Sequence, residues 1–316
     1  MSPAQDSPLL VLLGETAAGK SALAHQIALA RGGEIVSADA FAVYRGFDIG
    51  TAKPKAEERL EVPYHLLDVA EPSETFSAGR WARQARAAIE EIALRGRLPI
   101  VCGGSGFYIE ALLTGLPPGA ATDPALRSAL NAWGSGHPSA ARRLLEINDP
   151  ISADRISAGN LRYTLRAIEI LLTTGKPASA RTRAGDGWAA RFRIIKLGIA
   201  PPRRDLYARI AARVRRMLDA GWDAEVRRLL AEGVSPEANG FQAIGYREVA
   251  EWASGRAGRE ETEGRIVAAT RALARRQRTW FAREPAVEWV SPEKALAVAL
   301  ERLERGHAGK EADGHE

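Results

Sequence analysis

The stretch that decides the predicted fold is Leu9-Leu10-Val11-Leu12-Leu13-Gly14-Glu15-Thr16-Ala17-Ala18-Gly19-Lys20-Ser21. Its apolar run predicts a buried strand, and from Ser21 to Arg31 the apolar residues recur at helical spacing. Strand, glycine loop and helix in this order are the context of a P-loop, whose backbone N–H groups and lysine bind phosphate. The alternative is a glycine turn that only ends a strand. The predicted phosphate-binding residues are Gly14, Glu15, Thr16, Ala17, Ala18, Gly19, Lys20 and Ser21, with the Ser21 hydroxyl as a predicted ligand of Mg²⁺.

Length and composition limit the class of protein. The chain has 316 residues, which suggests one large α/β domain with an inserted or appended helical part. Hydrophobic residues make up 46% and no apolar run approaches the ~20 residues that cross a bilayer, so we expect a soluble protein without a membrane partner. The single cysteine, Cys102, excludes an internal disulfide and fits a reducing cytoplasm, and no signal-peptide pattern is expected at the N-terminus. A net charge of +5, with unevenly placed arginines, points to a polyanionic partner.

The chain continues with further α/β signals. Residues 34–37 predict a second strand with Asp39 at its carboxyl end, the edge at which open α/β sheets bind ligands. Residues 62–69 predict a short strand, 77–95 a helix, and 98–102 a buried strand that ends in the glycine turn 103–106. A further buried strand is predicted at 192–199 and a last one at 287–290. Predicted helices follow at about 203–219, 222–232, 242–254 and 259–281, and from 292.

The predicted fold class is α/β, with a P-loop parallel-sheet core, an inserted all-helical domain and a helical C-terminal half. The first part of the core is predicted over 1–115 and an inserted helical domain over 116–190. Residues 191–304 are predicted to complete the core with basic helices, and 305–316 to form a disordered tail.

Several further motifs identify a family. They are Ser37-Ala38-Asp39, Tyr44-Arg45-Gly46, Asp48-Ile49-Gly50-Thr51-Ala52-Lys53-Pro54, Gly103-Gly104-Ser105-Gly106-Phe107-Tyr108, Gly245-Tyr246-Arg247 and Ala274-Arg275-Arg276-Gln277-Arg278-Thr279-Trp280-Phe281. Together with the P-loop they resemble the tRNA dimethylallyltransferase family from about Leu9 to Val290. The resemblance implies transfer of a five-carbon prenyl group from dimethylallyl diphosphate to N6 of adenosine 37, in tRNAs that read codons starting with U.

The resemblance also implies roles for single residues. It places the diphosphate on Gly14 to Ser21 with Mg²⁺ and on Arg213, and it makes Asp39 the base that accepts the proton of the adenine amine. A solvated arginine on a basic helix is the alternative for Arg213, and a helix N-cap is the alternative for Asp39.

The resemblance implies that a larger set of residues contacts the tRNA anticodon stem-loop. The set is Asp39, Ala40, Phe41, Ala42, Ser105, Arg127, Arg162, Tyr163, Thr164, Leu165, Arg166, Gln242, Ala243, Ile244, Gly245, Tyr246 and Arg247. Arg275 and Arg276, on a basic predicted helix that also carries Arg271, Arg278, Trp280 and Phe281, suit phosphate contacts. A solvated helix face is the alternative for that charge run.

Other functions stay open on the sequence. Glu15 and Ala40 stand where the family usually has Pro and Ser, and Ser157 to Tyr163 replaces a usual family string. A P-loop kinase of small metabolites is one alternative, because such an enzyme would have the same pattern of strands, glycine loop and helices as the first 110 residues here. A tRNA-binding homologue with weakened catalysis, or an enzyme that prenylates free adenosine phosphates, are further alternatives. We expect a cytoplasmic monomer.

Overall fold

The computed structural model describes residues 6–117, 123–181 and 187–305. Six strands form one parallel sheet in the order β3-β2-β4-β1-β5-β6. The strands are β1 (Ser7–Gly14), β2 (Gly33–Ser37), β3 (Tyr64–His65), β4 (Leu98–Cys102), β5 (Phe192–Ile199) and β6 (Glu288–Val290). The α/β class with a parallel sheet is therefore confirmed.

Helices connect the strands and continue after them. Within the first compact unit they are α1 (Lys20–Arg31), α2 (Ala56–Glu61), α3 (Ala78–Leu94), α4 (Gly106–Thr114), α9 (Arg203–Asp219), α10 (Trp222–Ala231), α11 (Tyr246–Ala253), α12 (Arg259–Phe281) and α13 (Pro292–Glu304). The described residues of that unit are 6–113 and 187–305, so α4 ends one residue beyond it. Across the described residues, no helix is long and apolar enough to cross a membrane.

The described residues of the second compact unit are 114–117 and 123–181. Its helices are α5 (Pro124–Gly136), α6 (Pro138–Asn148), α7 (Pro150–Arg155) and α8 (Leu161–Thr174). Leu145, Leu165 and Ile168 are each at most 5% exposed and make the centre of its own small core. This part of the chain is helical where described, as the sequence predicts.

The sheet is ordered so that β1 lies at its centre. The residues of β1 from Leu9 to Leu13 are fully buried, as expected for a parallel strand covered on both faces. Leu12 pairs with Cys102 of β4, and Ser37 of β2 also pairs with Cys102. The carboxyl ends of β1, β2 and β4 therefore lie side by side at one edge of the sheet.

Two predicted elements differ from the structure. The strand predicted over 62–69 is reduced to Tyr64–His65, because Leu66 and Asp68 take left-handed φ values of 62° and 57° that a strand does not allow. The helix predicted from residue 242 begins at Tyr246 instead, after Gly245 with φ 98°. The predicted tail lies outside the described residues, apart from Arg305.

Candidate active site

The glycine loop follows β1 and leads directly into α1. Gly14 has φ 133° and a Cβ there would lie 2.8 Å from the Ile199 carbonyl oxygen, so only glycine fits. Ala17 and Gly19 also have left-handed φ values of 62° and 100°. These values turn the chain sharply into α1, and the N–H groups in the first turn of a helix have no partner within the helix, so they form a point of positive potential. Such a point suits an anion.

Lys20 lies under this loop. Its side chain is 8% exposed and its ammonium donates a hydrogen bond to the Glu15 carbonyl oxygen, at 2.7 Å. The pKa of Lys20 is lowered to about 8, chiefly because the side chain is buried; the nearby Arg213 guanidinium acts in the same direction, and the Asp39 carboxylate opposes the shift. No carboxylate forms an ion pair with Lys20 among the described residues. A bound anion would supply the missing counter-charge.

Glu15 is 9% exposed, and burial raises the pKa of its carboxyl group, against the influence of Arg278, Lys20 and Arg203. The residue that departs from the usual family pattern is thus packed among cations. Its backbone carbonyl holds Lys20, as described above.

Asp39 follows β2 at the same edge of the sheet. Its Oδ1 accepts hydrogen bonds from the backbone N–H groups of Phe41, at 2.8 Å, and Ala42, at 3.2 Å. No helix begins after Asp39, so the helix N-cap reading is wrong; the carboxylate caps a turn instead. Next to it, the Ala40 N–H donates to Ser105 Oγ at 3.0 Å, which joins this turn to the glycine turn after β4.

Asp39, Lys20 and Arg213 line one cavity of about 410 Å³. The cavity also contacts the glycine loop, Thr51 to Pro54, Tyr64, Leu67 and the turn at Gly103 and Gly104. A cationic end and a carboxylate therefore face the same space.

Three arginines of α9 complete the cationic end. Arg209, Arg213 and Arg216 are spaced along one helix face and all line the cavity. Burial lowers the pKa of Arg213, and the Asp39 carboxylate opposes that shift. Across residues 6–117, 123–181 and 187–305, none of the three has a carboxylate partner within ion-pair distance. The neighbouring Arg215 instead forms an ion pair with Glu263 at 2.9 Å and lies at the protein surface.

Sequence reasoning missed Gln277 of α12. Its Oε1 accepts a hydrogen bond from the Thr16 N–H at 2.7 Å, and its Nε2 donates to the Gly104 carbonyl oxygen at 3.0 Å. One side chain thus joins both glycine turns at the cavity wall. The only signal in the sequence was its place in the motif 274–281, which gave it no role.

The segment Asp48–Pro54 forms another wall and is held by distant residues. Lys53 is 1% exposed and donates to the Tyr44 carbonyl oxygen and to the carboxylates of Asp48 and Asp68. The Glu225 carboxylate accepts the backbone N–H groups of Asp48 and Ile49 at 3.1 and 2.8 Å.

Several residues predicted to contact tRNA are buried in the first unit. Tyr246 is fully buried, and its hydroxyl donates to Glu225 at 2.7 Å and accepts the Gly50 N–H at 3.2 Å. Ala42, Ala243 and Gly245 are also buried. Ala243 and Tyr246 pack inside this unit and Gly245 has no side chain, which corrects the prediction for these three, whereas Ala42 also lines the cavity. The accessible residues of that set are Asp39, Ala40, Phe41, Ser105, Gln242, Ile244, Arg247, Arg275 and Arg276.

In the second unit, too, some residues predicted to contact tRNA are buried and others are exposed. Thr164 and Leu165 are 1% and 5% exposed, so their predicted tRNA contacts are corrected to core positions. Arg127 and Arg166 both pair with the carboxylate of Glu169, which is 2% exposed, so these cations already have a structural partner. Arg162 and Tyr163 are exposed.

This arrangement defines a class: a parallel α/β protein in which a glycine loop with a buried lysine and a carboxylate line one cavity. Residues 42–284 match the family described as IPPT: IPP transferase. The chain is 44% identical over 285 residues to the tRNA dimethylallyltransferase of Thermomicrobium roseum, covering 89% of this chain and 85% of that protein. It is 42% identical to tRNA dimethylallyltransferase 1 of Trichlorobacter lovleyi, covering 92% and 96%.

Two solved structures resemble the fold. The tRNA isopentenylpyrophosphate transferase of Bacillus halodurans is 32% identical, with a TM-score of 0.69, and covers 98% of this chain and 100% of its own. A eukaryotic dimethylallyltransferase acting on tRNA is 26% identical, with a TM-score of 0.75, and covers 90% and 74%. The chain belongs to the IPP transferase family.

Proposed function

We propose that this protein transfers a dimethylallyl group from dimethylallyl diphosphate to N6 of adenosine 37 in tRNAs that read codons starting with U. Membership of the IPP transferase family supports an enzyme of this kind over a small-metabolite kinase. The observation that carries the proposal is the cavity of about 410 Å³ that Lys20, Arg213 and Asp39 share. It offers a cationic end for a leaving diphosphate and a carboxylate for an amine proton.

The donor half of the reaction belongs to the glycine loop and two cations. Backbone N–H groups at the start of α1, the Lys20 ammonium and the Arg213 guanidinium would hold the diphosphate oxygens. As the C1–O bond of the allylic donor breaks, the electron pair leaves with the diphosphate, and these groups balance the charge that develops. Lys20 is only 8% exposed, so water screens its attraction for the diphosphate poorly.

The acceptor half belongs to Asp39. The adenine N6 attacks C1 of the donor and forms the new C–N bond, and one N6 proton passes to the Asp39 carboxylate. The hydrogen bonds from Phe41 and Ala42 fix Oδ1, which leaves Oδ2 to accept that proton. The diphosphate and the protonated carboxyl group are then the by-products of one transfer.

Mg²⁺ fits this site as an ion that the diphosphate itself would largely hold. No group of three or more His, Cys, Asp or Glu side chains able to hold a metal occurs in the part of the chain that is described. Mg²⁺ commonly takes one or two protein ligands and completes its shell with phosphates and water. Ser21 at the first turn of α1 would offer its hydroxyl, and the ion would add positive charge beside the leaving group.

The acceptor would reach the cavity as a base turned out of the anticodon loop. The exposed arginines of α12, among them Arg275 and Arg276, suit contacts with tRNA phosphates. We propose that a monomer is the working form. We place this activity in the cytoplasm, where tRNA is modified.

The test incubates the protein with dimethylallyl diphosphate, Mg²⁺ and an anticodon stem-loop RNA, and follows the mass of the nucleosides. We expect N6-dimethylallyladenosine from an RNA with adenosine at position 37 and none from a matched RNA with guanosine there. Transfer of phosphate from ATP to a small molecule, without a gain in mass on adenosine, would support the kinase. Salt-sensitive RNA binding without product would support a homologue that has lost turnover.

A further inference from the structure

Two exposed aromatic side chains, Phe107 and Trp280, lie together outside the cavity. They are 47% and 41% exposed, with ring centroids 6.3 Å apart and ring planes at 79°. Single exposed apolar residues are normal on protein surfaces, but a paired aromatic surface is a candidate for binding. Phe281, the next residue along α12, is only 1% exposed, so the buried face of the helix lies elsewhere.

The pair is built onto the glycine turn beside the candidate base. A Cβ on Gly106 would lie 2.2 Å from Cδ1 of Trp280, so the indole rests on the backbone there. The adjacent Ser105 accepts the Ala40 N–H at 3.0 Å, and Ala40 follows Asp39. A short, rigid connection thus runs from the aromatic pair to the carboxylate.

Exposed cations also occur on the helix that carries Trp280 and just after its end. Arg276, Arg278 and Arg283 are exposed. In the described ranges 6–117, 123–181 and 187–305, no carboxylate lies within ion-pair distance of these three. An aromatic surface among unpaired arginines is the combination that binds single-stranded nucleic acid, in which bases stack and phosphates pair.

We propose that Phe107 and Trp280 form a stacking platform for an unpaired nucleobase next to the adenosine that enters the cavity. The inference rests on the proposed function, because only an extruded adenosine creates an unstacked neighbour at this rim. Turning one base out of a loop deprives its neighbours of a stacking partner, and an aromatic surface at the exit restores part of that energy. Phe107 and Trp280 are positioning residues here, since neither lines the cavity itself.

The test is a double-mutant cycle on binding. Anticodon stem-loop RNAs carry an abasic site at the 5′ or the 3′ neighbour of adenosine 37, and dissociation constants are measured with the wild-type protein and with Trp280→Ala. Stacking of one base on an aromatic side chain is worth about 5- to 150-fold in affinity. We expect one abasic RNA to bind the wild-type protein that much more weakly, and to bind Trp280→Ala no more weakly than the intact RNA does.

Three further variants keep the result interpretable. Trp280→Phe should restore most of the sensitivity to the abasic site, because phenyl also stacks. Trp289→Ala removes another tryptophan that is 44% exposed, on the edge strand β6, and should leave the sensitivity at its wild-type value. Phe107→Ala should reduce the sensitivity and serves if Trp280→Ala does not fold.

An abasic penalty of the same size in the wild-type protein and in the folded variants would overturn the platform, as would the lack of any penalty in the wild-type protein. Failure of the proposed function has a different signature, since the wild-type protein would then give no prenylated adenosine with intact RNA. The Michaelis constant for dimethylallyl diphosphate should not change in Trp280→Ala, because the indole does not reach the cavity.

Discussion

Asp39 combines two tasks in one carboxylate. Oδ1 holds the turn through two backbone N–H groups, and in the proposed reaction Oδ2 would accept the proton of the adenine amine. Lys20 is the second residue whose state matters, because burial brings its pKa to about 8. The proposed role of Asp39 therefore depends on the position of its carboxylate and its ability to accept a proton. The proposed role of Lys20 depends on its charge at neutral pH.

Replacement of Asp39 can separate its two tasks. Asp39→Asn keeps an oxygen for the Phe41 and Ala42 N–H groups but cannot accept a proton. We expect turnover to fall by at least ~10², with the dissociation constant for tRNA nearly unchanged, because a general base contributes about 10²–10⁴. Asp39→Ala should lose at least as much turnover. Full activity of Asp39→Asn in a single-turnover assay would remove the carboxylate from the chemistry.

The Lys20 charge predicts a pH dependence of donor binding. The protonated fraction falls as pH rises through about 8 in the free protein, so the attraction for the diphosphate falls in the same direction. We expect the dissociation constant of dimethylallyl diphosphate to rise by up to about tenfold per pH unit above that value. Calorimetry at pH 7 to 9.5 measures it. In Lys20→Met the constant should be higher throughout and this rise should be lost; a persistent rise would assign it to another group.

At the scale of elements, α12 contributes side chains both to the cavity wall and to the exposed surface. Gln277 on its buried side joins the glycine loop to the turn after β4, and the arginines on its exposed side face solvent. α9 does the same from another direction, with Arg213 on the cavity and Arg215 paired at the surface. Two late helices therefore complete a site that the first strands begin.

Gln277→Ala should leave the Thr16 N–H and the Gly104 carbonyl without their partner. An unsatisfied buried polar group costs about 1–3 kcal/mol, so we expect the free energy of unfolding to fall by that order. Because Thr16 belongs to the glycine loop, the Michaelis constant for the donor should rise more than that for RNA. Thr279→Ala, on the exposed side of the same helix, is the matched control. Equal changes in both Michaelis constants would contradict the positioning role.

Arg276→Ala should weaken tRNA binding without changing donor binding. Loss of one phosphate contact should reduce the slope of log affinity against log salt concentration by about 1. Arg227→Ala is a suitable control, because Arg227 is exposed but paired with Asp223 at 2.6 Å on α10. If both variants show the wild-type slope, α12 does not contact the RNA at Arg276.

At the scale of the whole molecule, distant parts of the chain hold the cavity wall Asp48–Pro54. Glu225 and Tyr246 reach its backbone, and the Trp222 ring packs so closely on Gly50 that a Cβ would lie 2.2 Å from it. Burial raises the pKa of the Glu225 carboxyl, and hydrogen bonds from Ile49 and Tyr246 oppose that shift. The wall therefore depends on packing between segments that lie far apart along the chain.

Tyr246→Phe removes the hydroxyl that joins Gly50 to Glu225 and keeps the ring. We expect the free energy of unfolding to fall by about 1–3 kcal/mol, since two buried partners lose one hydrogen bond each. Urea denaturation measures the loss. Tyr163→Phe, at a side chain that is 60% exposed, should change it by no more than about 0.5 kcal/mol. An unchanged stability of Tyr246→Phe would assign the hydroxyl to another task, such as the tRNA contact predicted from the sequence.

By itself the sequence determined the parallel α/β class, the strands β4 and β5 to the residue, the glycine loop with Lys20, and the family. These signals are local: apolar runs, helical spacing and glycines act within a few residues of themselves. Only the tertiary structure decided which faces are buried. Gln277 lies 261 positions from Thr16, and Tyr246 lies 196 from Gly50, so no local pattern could give Gln277 its role or withdraw Tyr246 from the surface. Burial and hydrogen-bond partners are set where separate elements pack together, and that packing is a property of the folded chain.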